Sequence, residues 1–484
     1  MKCKIILKDE VNCKVEGLDL QTRRKCEQKL KFFLPYARHV PAYKLGRWDG
    51  CVGFFTMGGS TFVNALPHII PILQESKYEF DVEDQRSTWK FDFKQIAEDH
   101  FSARTWPDKH PSAGKPVVLR DYQVDIINKF LDNTQSIQEI ATGAGKTLMT
   151  AALSDLIEPY GRSIVIVPNK DLVTQTEADY INLGLDVGVY FGDRKEFGKT
   201  HTICTWQSLN IIEKRFRDGE SEMSLDDFAE DVVCIMVDEV HQAKADVLKK
   251  LLTGSFRNVP IRWGLTGTIP KADHERLSLE VGLGEVVHQL AASDLQDQGV
   301  LAQCEVNIMQ LQDTVNYGNY QSELTYLTTD RYRLDYISEM IKTMSKSGNT
   351  LVLVDRLKAG EGLLERLGDD TVFISGAMKT QDRKDEYDEV SGADGKIIIA
   401  TYGVAAVGIN IPRIFNLVLI EPGKSFVRVI QSIGRGIRKA QDKDSVQIWD
   451  ITSSAKFSKR HLTERKKYYR EAKYPFHVEK VDFK

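Results

Sequence analysis

Residues 140–147 read I-A-T-G-A-G-K-T and lead straight into a helical pattern, Leu148 to Leu156. Few short stretches restrict a fold as much. Glycines let the backbone curl so that successive N–H groups point inward at anionic oxygens. The helix beyond them adds the partial positive charge of its N-terminus. On this reading Thr142, Gly143, Ala144 and Gly145 cradle phosphates, Lys146 reaches the β- and γ-phosphates, and the Thr147 hydroxyl ligates Mg²⁺. The strict G-x-x-x-x-G-K-[ST] spacing fails at its first position, where Ile140 stands for Gly, and no apolar strand is obvious ahead of the loop. A glycine-rich turn before a helix can also be a plain loop, so the rest of the chain has to decide.

Beyond the loop, strand and helix patterns alternate. Ser163 to Val167 is a β-rich run ending in Pro168-Asn169, with a helix from Asp171 to Tyr180. Val187 to Tyr190 and Thr202 to Cys204 read as further strands. Val232 to Val237 is a fully apolar run that ends in Asp238-Glu239-Val240-His241. Carboxylates at the end of a parallel strand sit beside a phosphate loop, where Asp238 holds Mg²⁺ through water and Glu239 orients and deprotonates an attacking water. A helix N-cap is the plain alternative for the same pair. The second half repeats the alternation without a second loop: Asn349 to Val354, Thr371 to Ser375, Gly395 to Ala400 and Asn416 to Ile420 read as strands, and Lys379 to Glu389 as a helix. It ends in Q-S-I-G-R-G-I-R, residues 431–438, which on a helix puts Gln431, Arg435 and Arg438 on one face. Two such arginines, Arg435 and Arg438, suit a γ-phosphate, with surface salt bridges as the plain alternative. Two successive parallel α/β sheets are the expected architecture.

Net charge over the 484 residues is only −4, but it is unevenly spread. Residues 1–60 carry twelve Lys and Arg against six Asp and Glu, and residues 456–484 carry ten against four, leaving an acidic middle. Basic ends suggest a polyanionic partner, though two solvated surfaces would look the same. Residues 1 to about 90 read as a small α/β module: a strand at Lys4 to Leu7, a helix over 20–34, a hairpin of Cys51–Met57 and Thr61–Asn64 around Gly58-Gly59, a helix at Leu66–Gln74 and a strand at Tyr78–Val82. Its A-Y-K-L-G-R-W-D-G stretch, residues 42–50, offers Lys44 and Arg47 to phosphates, with Trp48 either stacking on a base or simply filling the core. Residues 84–116 are polar and hold Pro107, Pro111 and Pro116, the pattern of a linker. In V-V-L-R-D-Y-Q, residues 117–123, Arg120 and Gln123 can clamp an adenine, or merely begin a helix. A basic helix comes at about Lys456 to Lys473, fit to hold a duplex arm or to lie solvated. The seven cysteines are scattered with no C-x-x-C pair, no apolar run reaches the ~18 residues a bilayer needs, and the charged N-terminus is unlike a signal peptide, so a reducing cytoplasm is expected.

Taken in order, these stretches resemble the paired motor core of the superfamily two helicases over residues 117–452. R-D-Y-Q resembles the adenine-reading motif, A-T-G-A-G-K-T motif I, and I-V-P-N-K-D-L and T-W-Q-S-L (205–209) two strand-contact motifs. D-E-V-H resembles motif II, T-G-T (266–268) motif III, I-A-T-Y-G-V-A-A-V-G-I-N (399–410) motif V and Q-S-I-G-R-G-I-R motif VI. The N-terminal G-R-W-D-G, with the T-W-Q and Y-G-V stretches, is similar to the UvsW-like phage DNA helicases.

The resemblance implies two RecA-like domains, at 117–290 and 291–455, a basic module ahead of them and a basic extension after them. It implies ATP and Mg²⁺, with ATP between lobes that close on binding and reopen on hydrolysis. Phosphate and strand contacts carry over to Asn169, Thr205, Trp206, Thr401 and Gly408, with Gly408 at the nucleotide side. Thr266 and Thr268 would couple nucleotide state to strand grip, and His241 and Gln431 would relay between γ-phosphate and DNA. The implied substrate is branched DNA (forks, R-loops with their RNA–DNA hybrid, Holliday junctions), worked on by a monomer, with 3′→5′ polarity suggested by the subgroup. Three rivals stay open: a double-strand translocase without strand separation, an RNA helicase, and a binding clamp that uses ATP only as a switch.

Overall fold

The structure, a computed structural model, describes residues 1–483 apart from 109, 111, 241–244, 369, 379, 409, 410, 412 and 441. The chain divides into two compact units. The first comprises Met1–Ile140 and Lys146–Gln289, and the second Leu290–Lys484 together with the short stretch Ala141–Gly145.

The first unit opens on a four-stranded sheet, in the order Ser60–Phe62, Asn12–Glu16, Lys2–Leu7, Glu79–Asp84, whose last pairing is parallel. Helices Leu20–Lys29 and Leu66–Glu75 cover it, burying Cys26, Ile69 and Leu73. Two expectations fail here. The helix stops at Lys29, because Lys31–Phe33 is a strand paired with Cys51–Gly53. The hairpin around Gly58-Gly59 is not one either: Ser60–Phe62 pairs with Asn12–Glu16, so the two flanking strands join different sheets. Gly59 is the reason the turn is tight. It has φ +86°, its carbonyl accepts from Val15 N at 2.8 Å, and a Cβ there would lie 2.2 Å from the Val15 carbonyl oxygen.

This module is not a separate body. Its apolar core runs on into Leu277 and Val281 of the helix Asp273–Leu283. Asn12 Nδ2 donates to the Thr253 carbonyl at 3.1 Å and Gln135 Nε2 to Glu10 Oε2 at 3.0 Å. The next segment of chain, though mostly irregular, is pinned down. Ile96 and Phe101 are buried, and the Asn128 amide both accepts from Ile96 N (2.9 Å) and donates to Ile96 O (3.1 Å). The rings of Trp89, Phe91 and Phe93 stack in series, and Phe91 and Phe93 meet Tyr160 edge-on.

An eight-stranded sheet forms the centre of the first unit. Its order is Arg194–Lys195, Val187–Phe191, His201–Thr205, Arg162–Val167, Val232–Asp238, Ile261–Thr266, Gln135–Ile140, Glu285–Leu290. From Val187–Phe191 through Gln135–Ile140 every pairing is parallel. The strand Gln135–Ile140, which no apolar run announces, is held by satisfied polar groups. Gln138 Nε2 donates to the Ile126 carbonyl at 3.1 Å and Gln138 Oε1 accepts from Trp263 Nε1 at 3.0 Å. The second unit carries seven strands, in the order Thr371–Ile374, Ile397–Thr401, Thr350–Val354, Asn416–Ile420, Ser445–Ser453, Gln303–Leu311, Phe476–Val481, all paired parallel. Each unit is thus an α/β layer structure with helices on a parallel sheet, as expected.

Candidate functional site

In a parallel sheet the loops at the carboxyl ends of the strands gather in one place. Strand Gln135–Ile140 delivers the chain to the glycine-bearing loop ahead of Lys146. Ile140 is fully buried, so its side chain belongs to the sheet core and a glycine is not needed there. Gly143 (φ +91°) and Gly145 (φ +82°) take the left-handed backbone that curls the loop. The helix Lys146–Ile157 begins at the lysine itself.

Two strands away, Val232–Asp238 ends at Asp238. The next residue, Glu239, sits at φ +51°, a conformation that costs a non-glycine residue roughly 1–3 kcal/mol. Its amide donates to Asp238 Oδ1 at 2.9 Å. The turn aims Glu239 Oε1 at Lys146 Nζ, 3.0 Å away, with the two side chains only 6% and 8% exposed. Lys146 Nζ also lies 3.5 Å from the Ile140 carbonyl. The Lys146 ammonium and the Glu239 carboxylate are therefore in one buried pair. Thr147, on the first turn of the helix, and Asp238 supply hydroxyl and carboxylate oxygens, the donor type Mg²⁺ takes, so the residues present fit that ion.

Thr266 and Thr268 close on each other after strand Ile261–Thr266: Thr266 Oγ1 donates to the Thr268 carbonyl at 2.8 Å and accepts from Thr268 N at 3.3 Å. The Thr268 hydroxyl is buried with no hydrogen-bond partner among the described residues. Sequence reasoning missed Glu139 beside them. Its carboxylate accepts from Ile269 N at 3.1 Å, and burial pushes its pKa up. Arg120 and Gln123 form the start of helix Asp121–Asp132: Gln123 Oε1 accepts from Arg120 N at 2.9 Å, and Arg120 Nη1 donates to the Tyr122 hydroxyl at 3.0 Å.

The strand-contact candidates Asn169 and Thr205 each cap a helix after one of two adjacent parallel strands. Asn169 Oδ1 accepts from Leu172 N at 3.0 Å and Thr205 Oγ1 from Ser208 N at 3.3 Å. The Asn169 amide nitrogen is buried and has no hydrogen-bond partner among the described residues. Trp206 packs half-buried against the apolar core of the first unit, so its ring is largely committed to packing. His241 lies outside the described residues.

In the second unit Thr401 ends strand Ile397–Thr401, its hydroxyl accepting from Val404 N at 3.4 Å, and Gly408 closes helix Tyr402–Gly408. The helix that carries Gln431 and Arg435 spans Phe426–Gly436, and the side chains of those two lie outside the description. Arg438 departs from expectation. It lies past the helix end, in a bridge with Leu301, so the three residues do not share one helical face.

Lys44 and Arg47 are exposed and make no ion pair among the described residues. Trp48 is half-buried, its indole N–H donating to the Cys51 carbonyl at 3.0 Å, which favours a packing role. Gly50, at φ +77°, lets Phe33 and Tyr43 close over the backbone: a Cβ there would lie 2.7 Å from Phe33 and 2.9 Å from Tyr43. In the C-terminal helix Lys456–Glu471, Lys456, Lys459, Arg460, Lys467 and Arg470 are exposed. Arg465 is core: it grips Asp450 with two nitrogens at 2.8 and 2.9 Å and the Gly423 carbonyl at 2.7 Å.

Comparison with known sequences matches residues 116–271 to the family "Type III restriction enzyme, res subunit" and residues 332–440 to "Helicase conserved C-terminal domain". The ATP-dependent DNA helicase UvsW of Enterobacteria phage T4 is 24% identical over 454 residues, covering 89% of this chain and 87% of UvsW. The chain belongs to the superfamily two helicases. A putative DNA 3′-5′ helicase Rad25 of Halobacterium salinarum is 27% identical over 68% of this helicase, which spans 55% of that protein's length. Among solved structures, a fragment of a putative HsdR subunit of a type I restriction enzyme from Vibrio vulnificus shares the fold at a TM-score of 0.58, with 15% identity, over 97% of this helicase and 85% of that chain. No helix among its described residues is long and apolar enough to cross a membrane.

Proposed function

We propose that the protein is an ATP-driven DNA helicase that remodels branched DNA (forks, R-loops and four-way junctions). The observation that carries the reading is the buried Lys146–Glu239 pair, formed on a strained turn directly after Asp238. A carboxylate held this way is available only once something else takes its lysine. Entering phosphates do that: they draw Lys146 to themselves and leave Glu239 to orient water and accept its proton. Mg²⁺, held by Thr147 and Asp238, would neutralise charge on the phosphates. Arg438 would meet charge developing on the γ-phosphate. The buried Asn169 amide and the Thr205 and Thr401 hydroxyls are short, rigid groups at strand ends, suited to backbone phosphates rather than to base edges.

Branched DNA as substrate is inferred from near full-length similarity to UvsW and from the exposed cations at both ends of the chain. Forks, R-loops, four-way junctions and linear duplex, each incubated with ATP, test it. Strand displacement or branch migration on the branched substrates, and little on linear duplex, is the expected result. Translocation along duplex without displacement would replace the proposal with a double-strand motor.

A further inference from the structure

Past the helix Phe426–Gly436 the chain folds back, and Lys443 closes the fold. Lys443 is only 1% exposed. Its amide donates to the Ala440 carbonyl at 3.2 Å, and the two residues form an isolated bridge. Its ammonium donates to the carbonyl of Gly436, the last helical residue, and to the carbonyl of Arg438 at 2.8 Å. The first bond is ordinary for a helix C-terminus, where a cation meets carbonyls that lack helical partners. A glycine or a surface lysine does that without taking an ammonium out of water. The second bond is not a cap. It fastens the backbone of the arginine that leaves the helix end. Asp442, the carboxylate next to Lys443 in sequence, is turned to Arg413, which it meets at 2.8 Å. On the other side Ala302 N donates to the Ile437 carbonyl at 2.8 Å, so the carbonyls of 436, 437 and 438 are all held.

We propose that Lys443 is a positioning residue for ATP hydrolysis, fixing the Arg438 backbone so that its guanidinium reaches the γ-phosphate in one geometry. The proposal rests on the role given to Arg438 above. Lys443 touches no reacting atom, and its effect passes entirely through that arginine. Small misplacements of a charge-stabilising group cost turnover steeply, roughly 10- to 100-fold for an ångström.

The test is steady-state ATP hydrolysis by the full chain with saturating single-stranded DNA, for Lys443→Met, Arg438→Ala and the double variant. Methionine matches the lysine stem in volume and lacks the donor. The expected result is a fall in kcat of roughly 10- to 100-fold for Lys443→Met, with KM for ATP within about threefold of wild type. The double variant should be no slower than Arg438→Ala alone. Should Lys443→Met fail to fold, by circular dichroism, Lys443→Arg is read in the same cycle, with a smaller loss that also vanishes when Arg438 is absent. Losses that multiply in the double variant, or an unchanged kcat in the single one, would overturn the role of Lys443 alone. Wild-type turnover by Arg438→Ala would instead remove the reading of the arginine on which the proposal stands.

Discussion

Lys146 and Glu239 share one buried ion pair, yet their loss should fail the enzyme in different ways. Lys146→Ala removes the charge proposed to meet the phosphates and leaves a buried carboxylate without its lysine. ATP affinity should fall, and so should stability without nucleotide, by about 3 kcal/mol in thermal or urea unfolding. Glu239→Gln keeps the shape and removes the proposed base. It should bind ATP as tightly as wild type and not turn it over. Equilibrium nucleotide binding beside turnover separates the two, and substantial hydrolysis by the Gln variant would refute the role of Glu239. At this scale the sequence was legible where chemistry demands a residue type: a lysine after a glycine turn, two carboxylates after an apolar strand. It was silent on the Glu239 backbone, because a left-handed conformation taken by a non-glycine leaves no mark in composition. Lys443 was missed for a related reason: a lysine among polar neighbours gives no sign that it will be buried.

Elements were legible when their apolar residues ran unbroken, as in Val232–Asp238 and Asn416–Ile420. They were hidden where buried polar groups satisfy one another. Gln135–Ile140 buries Ser136 and Gln138, and Gln303–Leu311 buries Asn307 and Gln310, so neither looks apolar although both are inner strands. The basic C-terminal run was half understood. Its charge count is real, but Arg465 serves the core, where it pairs with Asp450 at no exposure on either side. Arg465→Met should therefore destabilise the second unit by roughly 3–5 kcal/mol, since it strands a buried carboxylate. Urea unfolding followed by circular dichroism reads this directly. Charge-neutral replacements at the exposed Lys459 or Lys467 should stay within about 0.5 kcal/mol of wild type.

For the whole molecule, the continuity of the N-terminal module with the first sheet unit changes what can be tested. Removing residues 1–90 would strip Leu277 and Val281 of their apolar cover, so the truncated chain should be insoluble or unstable. Point changes are the cleaner route. Neutralising Lys44 and Arg47 together should weaken branched-DNA binding and lower the slope of log affinity against log salt by up to about two units, one for each lost phosphate contact. ATP turnover on plain single strands should hardly change. An unchanged affinity and salt slope would make the module a structural or partner-binding one. Helicase action requires, above all, an ATP site that answers to DNA. The most direct measurement is steady-state ATP hydrolysis by the full chain, titrated with forked DNA, for wild type and Glu239→Gln side by side. Turnover that rises to a plateau with DNA in the wild type, and stays at baseline in the variant, is the predicted result. Wild-type turnover indifferent to DNA, or equal turnover in the two proteins, would contradict it.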